Sequence, residues 1–100
     1  MPVWNNSEMT TLYYSSEQSS VSSCVVKLEE DEVLVEYYED GEFYQYKGKS
    51  NGEGHFELQA KGFNGRATLH MFKDSRVLEG SWTEEGSKGM WRIELHQGQD

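Results

Sequence analysis

The chain has 100 residues, 18 of them acidic and 9 basic, for a net charge of −9. That length predicts one domain, and the excess of carboxylates argues against a partner bound through nucleic-acid phosphates. No apolar run approaches the ~18 residues of a membrane-spanning helix, the first residues lack the basic and apolar regions of a secretory leader, and the lone Cys24 excludes an internal disulfide, so the expectation is a cytoplasmic protein that does not enter a membrane.

Residues 1–23 are rich in Ser, Thr and Asn and are expected to belong to the same domain as residues 24–100. Met9 to Ser15 reads as a strand, and Ser15 to Ser23 as a Ser-rich loop. From Cys24 to Leu95 the chain alternates apolar and polar residues in segments parted by turn-like breaks. The breaks are Glu30-Asp31, Asp40-Gly41, Ser50-Asn51-Gly52, Phe63-Asn64-Gly65, Asp74-Ser75 and Glu85-Gly86. This spacing predicts an antiparallel β-meander.

Hairpin register tests the reading. A two-residue turn at Glu30-Asp31 pairs Val26 with Val35 and Cys24 with Tyr37; one at Asp40-Gly41 pairs Tyr37 with Tyr44. A three-residue loop at Ser50-Asn51-Gly52 then sets Tyr46 opposite Phe56, and a turn at Phe63-Asn64 sets Phe56 opposite Met71. The last two turns set Leu69 opposite Gly80, Leu78 opposite Ile93, and Gly80 opposite Trp91. Side chains alternate with period two, so one odd slip would throw the next apolar set outward. All six turns instead keep one apolar face, which runs from Cys24, Val26 and Leu28 through Val35, Tyr46, Leu58 and Leu69 to Trp82, Trp91, Ile93 and Leu95.

A sheet with one apolar face and no helix to cover it must fold on itself. With Met9 to Ser15 there are eight segments, and sequential hairpins favour an all-β, antiparallel, up-and-down barrel; a β-sandwich is the alternative. Two stretches, Leu78-Glu79-Gly80-Ser81-Trp82 and Gly89-Met90-Trp91-Arg92-Ile93, are similar to the glycine-x-tryptophan strands of small ligand barrels. In this pattern residues 24–96 resemble the calycin group of lipocalins, fatty-acid-binding proteins and avidins. The resemblance implies a barrel of that kind. No biotin-site motif or fatty-acid carboxylate clamp matches residue by residue, so it implies no particular ligand. Lipocalins also place the tryptophan near the N-terminus, whereas these motifs lie near Leu95.

Tyr37, Tyr44 and Tyr46 share the predicted inner face with Trp82 and Trp91. Flat apolar walls with polar tips suit a small apolar or aromatic ligand; the competing reading is that the five rings fill a small barrel. Gly48, Ala60, Ala67 and Gly80 either leave a cavity or make room for the indoles. On the outer face, Leu34, Tyr38, Phe43 and Phe72 form the expected interface set, to be covered by a second copy, a protein partner or segment 1–23. His70 is expected outward beside Glu57 and Glu79, in a cross-strand charge row continued by Arg92. Cys24 reads as a buried small hydrophobe. No nucleophile, paired-Cys or phosphate-loop motif is present. The expectation is therefore a non-enzymatic binding protein without cofactor or metal, holding a small ligand in its barrel, or else a protein-interaction module, an inhibitor or adaptor, with a filled barrel.

Overall fold

The computed structural model describes residues 3–13, 19–29, 31–39, 41–50, 52–72 and 74–96. It is a closed barrel of eight antiparallel strands in simple up-and-down order. The strands are β1 (Val3–Tyr13), β2 (Ser19–Leu28), β3 (Glu32–Glu39), β4 (Glu42–Ser50), β5 (His55–Ala60), β6 (Gly65–His70), β7 (Val77–Glu84) and β8 (Ser87–Glu94). Every strand pairs with its successor, and β1 closes the ring against β8 from Glu8↔Glu94 to Tyr13↔Gly89.

Two segments differ from expectation. β1 starts at Val3 rather than Met9, and β2 starts at Ser19, inside the stretch expected to be a loop. Residues 15–18 of that stretch, and turn residues Glu30, Asp40 and Asn51, lie outside the described residues. Polar composition argues against strand in both places. Ladder pairing decides otherwise, since β1 lies between β2 and β8 and its backbone groups find partners on both sides. The buried hydroxyl of Ser7 on this strand is also satisfied: its Oγ donates to the Trp4 carbonyl at 3.0 Å and accepts from the His96 N–H at 3.1 Å. The pairing of β1 with β2 shifts register between Trp4 and Ser7, a bulge of the sort found at barrel rims.

Register agrees with the sequence at four of the six hairpins from β2 onward: Val26↔Val35, Tyr37↔Tyr44, Leu69↔Gly80 and Gly80↔Trp91 all occur. At the other two it is displaced. Tyr46 faces Ala60 instead of Phe56, and Phe56 faces Leu69 instead of Met71. Both loops are longer than a minimal turn requires, running from Ser50 to Phe56 and from Gln59 to Arg66. The displacements are by even numbers of residues, so every side chain keeps its face.

The predicted apolar face is accordingly the core. Val26, Val35, Tyr46, Leu69, Leu78 and Ile93 are wholly buried, and Met9 of β1 joins them. The β7–β8 turn is a two-residue hairpin, Glu84↔Ser87, with positive φ at Glu85 (50°) and Gly86 (90°); that type I′ geometry matches the twist of the flanking strands. Charged residues such as Lys47, Glu57, Arg66 and Arg92 stand on the outer wall. This polarity is the inverse of a membrane barrel, which carries an apolar outer band.

The small inward residues have a structural use. A Cβ on Gly48 would collide with the Glu57 carbonyl, one on Gly80 with the Thr68 carbonyl, and one on Gly89 with the Leu12 carbonyl. At these points the neighbouring strand's backbone comes too close for any side chain, as at the tight bends of a small barrel. Gly48 and Gly80 therefore mark close backbone approach, not cavity. Gly80→Ala should cost about 3 kcal/mol by overpacking, whereas Ser81→Ala, one residue on and exposed, should stay within about 0.5 kcal/mol. Urea unfolding of the two variants measures the difference.

Candidate functional site: the aromatic column and its open end

All five rings expected on the inner face meet. Trp82 and Trp91 stack at 6.3 Å between centroids; Tyr46 and Tyr37 meet Trp91 edge-on at 4.9 and 5.9 Å; Tyr37 and Tyr44 stack at 5.2 Å. The result is a column of rings inside the barrel, with Tyr44 at the end that carries the β3–β4, β5–β6 and β7–β8 connections. Tyr46 is fully buried, and Trp91, Trp82 and Tyr37 are nearly so at 2%, 3% and 7% exposure. Tyr44 alone of the five is half-buried.

A sixth ring, Phe63, completes the column. It sits edge-on to both Tyr44 and Tyr46, at 5.4 and 5.7 Å. The sequence pattern places Phe63 in a turn, because nothing local shows that the loop folds back over the barrel end. Three hydrogen bonds hold it there. The Lys61 N–H donates to the Gln45 carbonyl at 2.9 Å and the Glu85 N–H to the Asn64 carbonyl at 3.1 Å. The Asn64 N–H in turn donates to Glu85 Oε1 at 3.1 Å. Gly65 leaves the space the rings need: a Cβ there would lie 2.6 Å from the Tyr46 hydroxyl and 2.9 Å from the Phe63 ring.

Carboxylates surround the phenol tips. Tyr46 donates to Glu84 Oε2 at 2.5 Å and Tyr44 to Glu42 Oε2 at 3.1 Å. Desolvation, then the Glu84 hydrogen bond and charge, push the Tyr46 phenol well above its ordinary value. Tyr44 is pushed up as well, by desolvation, the Glu42 hydrogen bond, and the charges of Glu42, Glu39 and Glu84. Both phenols are thus held as neutral donors, the opposite of an activated nucleophile or base. At this end, Tyr44, Phe63, Glu42, Glu84, Lys61 and Phe43 line an open depression of about 530 Å³.

The expected interface residues divide. Tyr38 and Phe43 are paired across the β3–β4 hairpin, with centroids 5.1 Å apart. They are 66% and 51% exposed. Beside them a shallow groove of about 480 Å³ runs along Ser23, Val25, Glu36, Tyr38 and Phe43. Leu34 is half-buried between Lys27 and Lys47, and Phe72 is exposed in the β6–β7 connection, at the other end of the barrel. Two residues not anticipated extend the apolar wall round the barrel: Val21 on β2 and Leu12 on β1, 62% and 41% exposed. The Ser-rich composition around them hides their strand positions. Of segment 1–23, residues 3–13 form β1 and residues 19–23 begin β2, both within the wall of the barrel, and Tyr38 and Phe43 stay exposed.

His70 faces Glu79 as expected, but the displaced β5–β6 register sets His55, not Glu57, across from it, with the imidazoles 4.5 Å apart. Arg92 donates to Glu79 at 2.5 Å; both side chains are about half exposed, so the pair contributes under about 1 kcal/mol. Cys24 is buried and its thiol is pushed up to about 12 by desolvation, which suits a packing residue. Comparison of the chain with protein-family models, with characterised proteins and with solved structures finds no match.

The phenol shifts carry a sign. A phenol whose pKa is raised by folding contributes stability that is complete below the unfolded value, near 10.0, and lost as the pH rises above it. Cys24 adds a loss of the same sign between its ordinary 9.0 and about 12. In a Cys24→Ala background, the free energy of unfolding should decline above pH ~10. Tyr46→Phe should make that decline shallower, as read by urea titrations across the alkaline range.

Proposed function

We propose that the chain is a non-enzymatic binding protein that works as a protein-interaction module, with the exposed Tyr38–Phe43 pair as the centre of its contact surface. One observation carries this reading. The middle of the barrel is occupied by its own rings, Tyr46, Trp91, Trp82 and Tyr37, while two large aromatic side chains stand together in solvent on the outer wall. Paired exposed aromatics with an apolar groove beside them suit the anchor of an interface. The partner is a second copy of the chain or another protein, met in a reducing compartment where Cys24 stays a thiol.

A second reading rests on the open end. Tyr44 and Phe63 offer ring faces above a depression of about 530 Å³, a size that suits a small apolar or aromatic ligand. The five inner rings would then act as a floor, with Tyr44 in direct contact. The up-and-down order of strands is that of calycin barrels, a fold-level analogy that supports ligand binding and names no ligand.

Native mass spectrometry of protein purified from its own host separates the readings, because it reports a retained small molecule, a bound protein and self-association together. Under the interaction reading, Phe43→Lys should weaken the complex by about 2 kcal/mol or more and leave the thermal midpoint unchanged. A monomeric protein that carries a small molecule lost in Tyr44→Phe, and indifferent to Phe43→Lys, would favour the second reading.

A further inference from the structure

The basic residues of this acidic protein are not scattered. Strand register places Lys27, Leu34, Lys47, Gln59 and Arg66 directly side by side on the outer wall, one from each strand from β2 to β6. The row contains no carboxylate. Lys61 flanks it at the end of β5, and its backbone donates to Gln45 of β4. An open groove of about 700 Å³ runs along the row, lined among others by Lys27, Leu34, Lys47 and Lys61. Lys27, Lys47, Lys61 and Arg66 have no ion-pair partner among the described residues. Lys49 also borders the groove and stands in register between Glu32 and Glu57. Glu29 and Glu32 also line the groove.

Three of the nine basic residues, Lys27, Lys47 and Arg66, thus stand in one cross-strand row that holds no carboxylate, and Lys61 flanks it along the groove. We propose that this row binds an extended acidic segment of a partner polypeptide. Charge complementarity names the occupant, and the spacing gives its length. Four steps of about 4.8 Å between strands span roughly 19 Å, the reach of about six extended residues. Between the cations, Leu34 offers an apolar contact and Gln59 an amide for the segment's backbone. A nucleic acid fits less well. The exposed rings Tyr38, Phe43 and Phe72 lie off the row, so bases would find no stacking platform, and the net charge of −9 repels a long polyanion wherever it extends past the groove. Lys27, Lys47 and Arg66 lie off the Tyr38–Phe43 pair, whereas the flanking Lys61 also borders the depression that Phe43 lines; the row's acidic partner does not depend on what that pair contacts.

Fluorescence anisotropy with a labelled oligoglutamate of about eight residues tests it. Binding should be measurable at about 20 mM salt and weaken steeply by about 200 mM. Lys47→Glu/Arg66→Glu should weaken it about tenfold or more. Arg76→Glu/Arg92→Glu makes the same change in net charge away from the row and should shift affinity by less than about twofold. Lys47→Gln/Arg66→Gln should reproduce the loss if charge reversal impairs folding, with circular dichroism as the check on each variant. Absence of binding at low salt, equal losses in both charge-reversed pairs, or an oligothymidylate of the same charge binding as tightly would overturn the proposal.

Discussion

Closure of β1 on β8 is the constraint on which the rest of the molecule depends. An open meander would leave two unpaired edges and one uncovered apolar face. Pairing from Glu8↔Glu94 to Tyr13↔Gly89 removes both edges at once and turns that face into an interior. The closing strand is polar in composition, yet it alternates as the ring requires. Ser7, Met9 and Thr11 point inward and are buried, while Glu8 and Leu12 point out. The hydroxyl of Ser7 is tolerated there because it bridges Trp4 and the backbone of His96. A small ring also bends sharply, which explains why Gly48, Gly80 and Gly89 stand where neighbouring backbone leaves no room for a side chain.

A ring of this size must then be filled, and aromatic residues do it. They make up 13% of the chain, and six of them form the column from Trp82 to Phe63. Rings packed at edge-on and stacked geometries gain favourable quadrupole contacts beyond simple burial. The phenol tips of Tyr44 and Tyr46 are carried to the end of the barrel, where Glu42 and Glu84 accept from them. The same packing that stabilises the column leaves only its last rings, Tyr44 and Phe63, near solvent.

The outer wall is divided by chemistry. Around β1 to β4, near the β3–β4 hairpin, Leu12, Val21, Tyr38 and Phe43 expose apolar surface. Across β2 to β6, the row from Lys27 to Arg66 gathers cations. The barrel order brings together side chains from five strands, 39 residues apart in sequence at the extremes (66 − 27), into one band. No local stretch of sequence is basic, so composition read along the chain shows only a general acidity.

The inner face of the barrel is legible in the amino-acid sequence. The alternation from Cys24 to Leu95 determines which side chains face inward. Tyr37, Tyr44, Tyr46, Trp82 and Trp91 meet as the pattern requires, and the even displacements at β4–β5 and β5–β6 leave their faces unchanged. That robustness has a simple cause: facing depends on residue parity, which a slip of two or four preserves. Alternation carries no information about anything that depends on distance along a strand or on a distant partner. The loop carrying Phe63 folds over the barrel end because Gln45 and Glu85 hold it. The Ser-rich start of β2 is a strand because β1 pairs with it. His55 rather than Glu57 meets His70 because the longer β5–β6 loop displaces the ladder by two residues. Local pattern determined faces; backbone pairing across the closed ring decided register, and register decided which surface groups became neighbours.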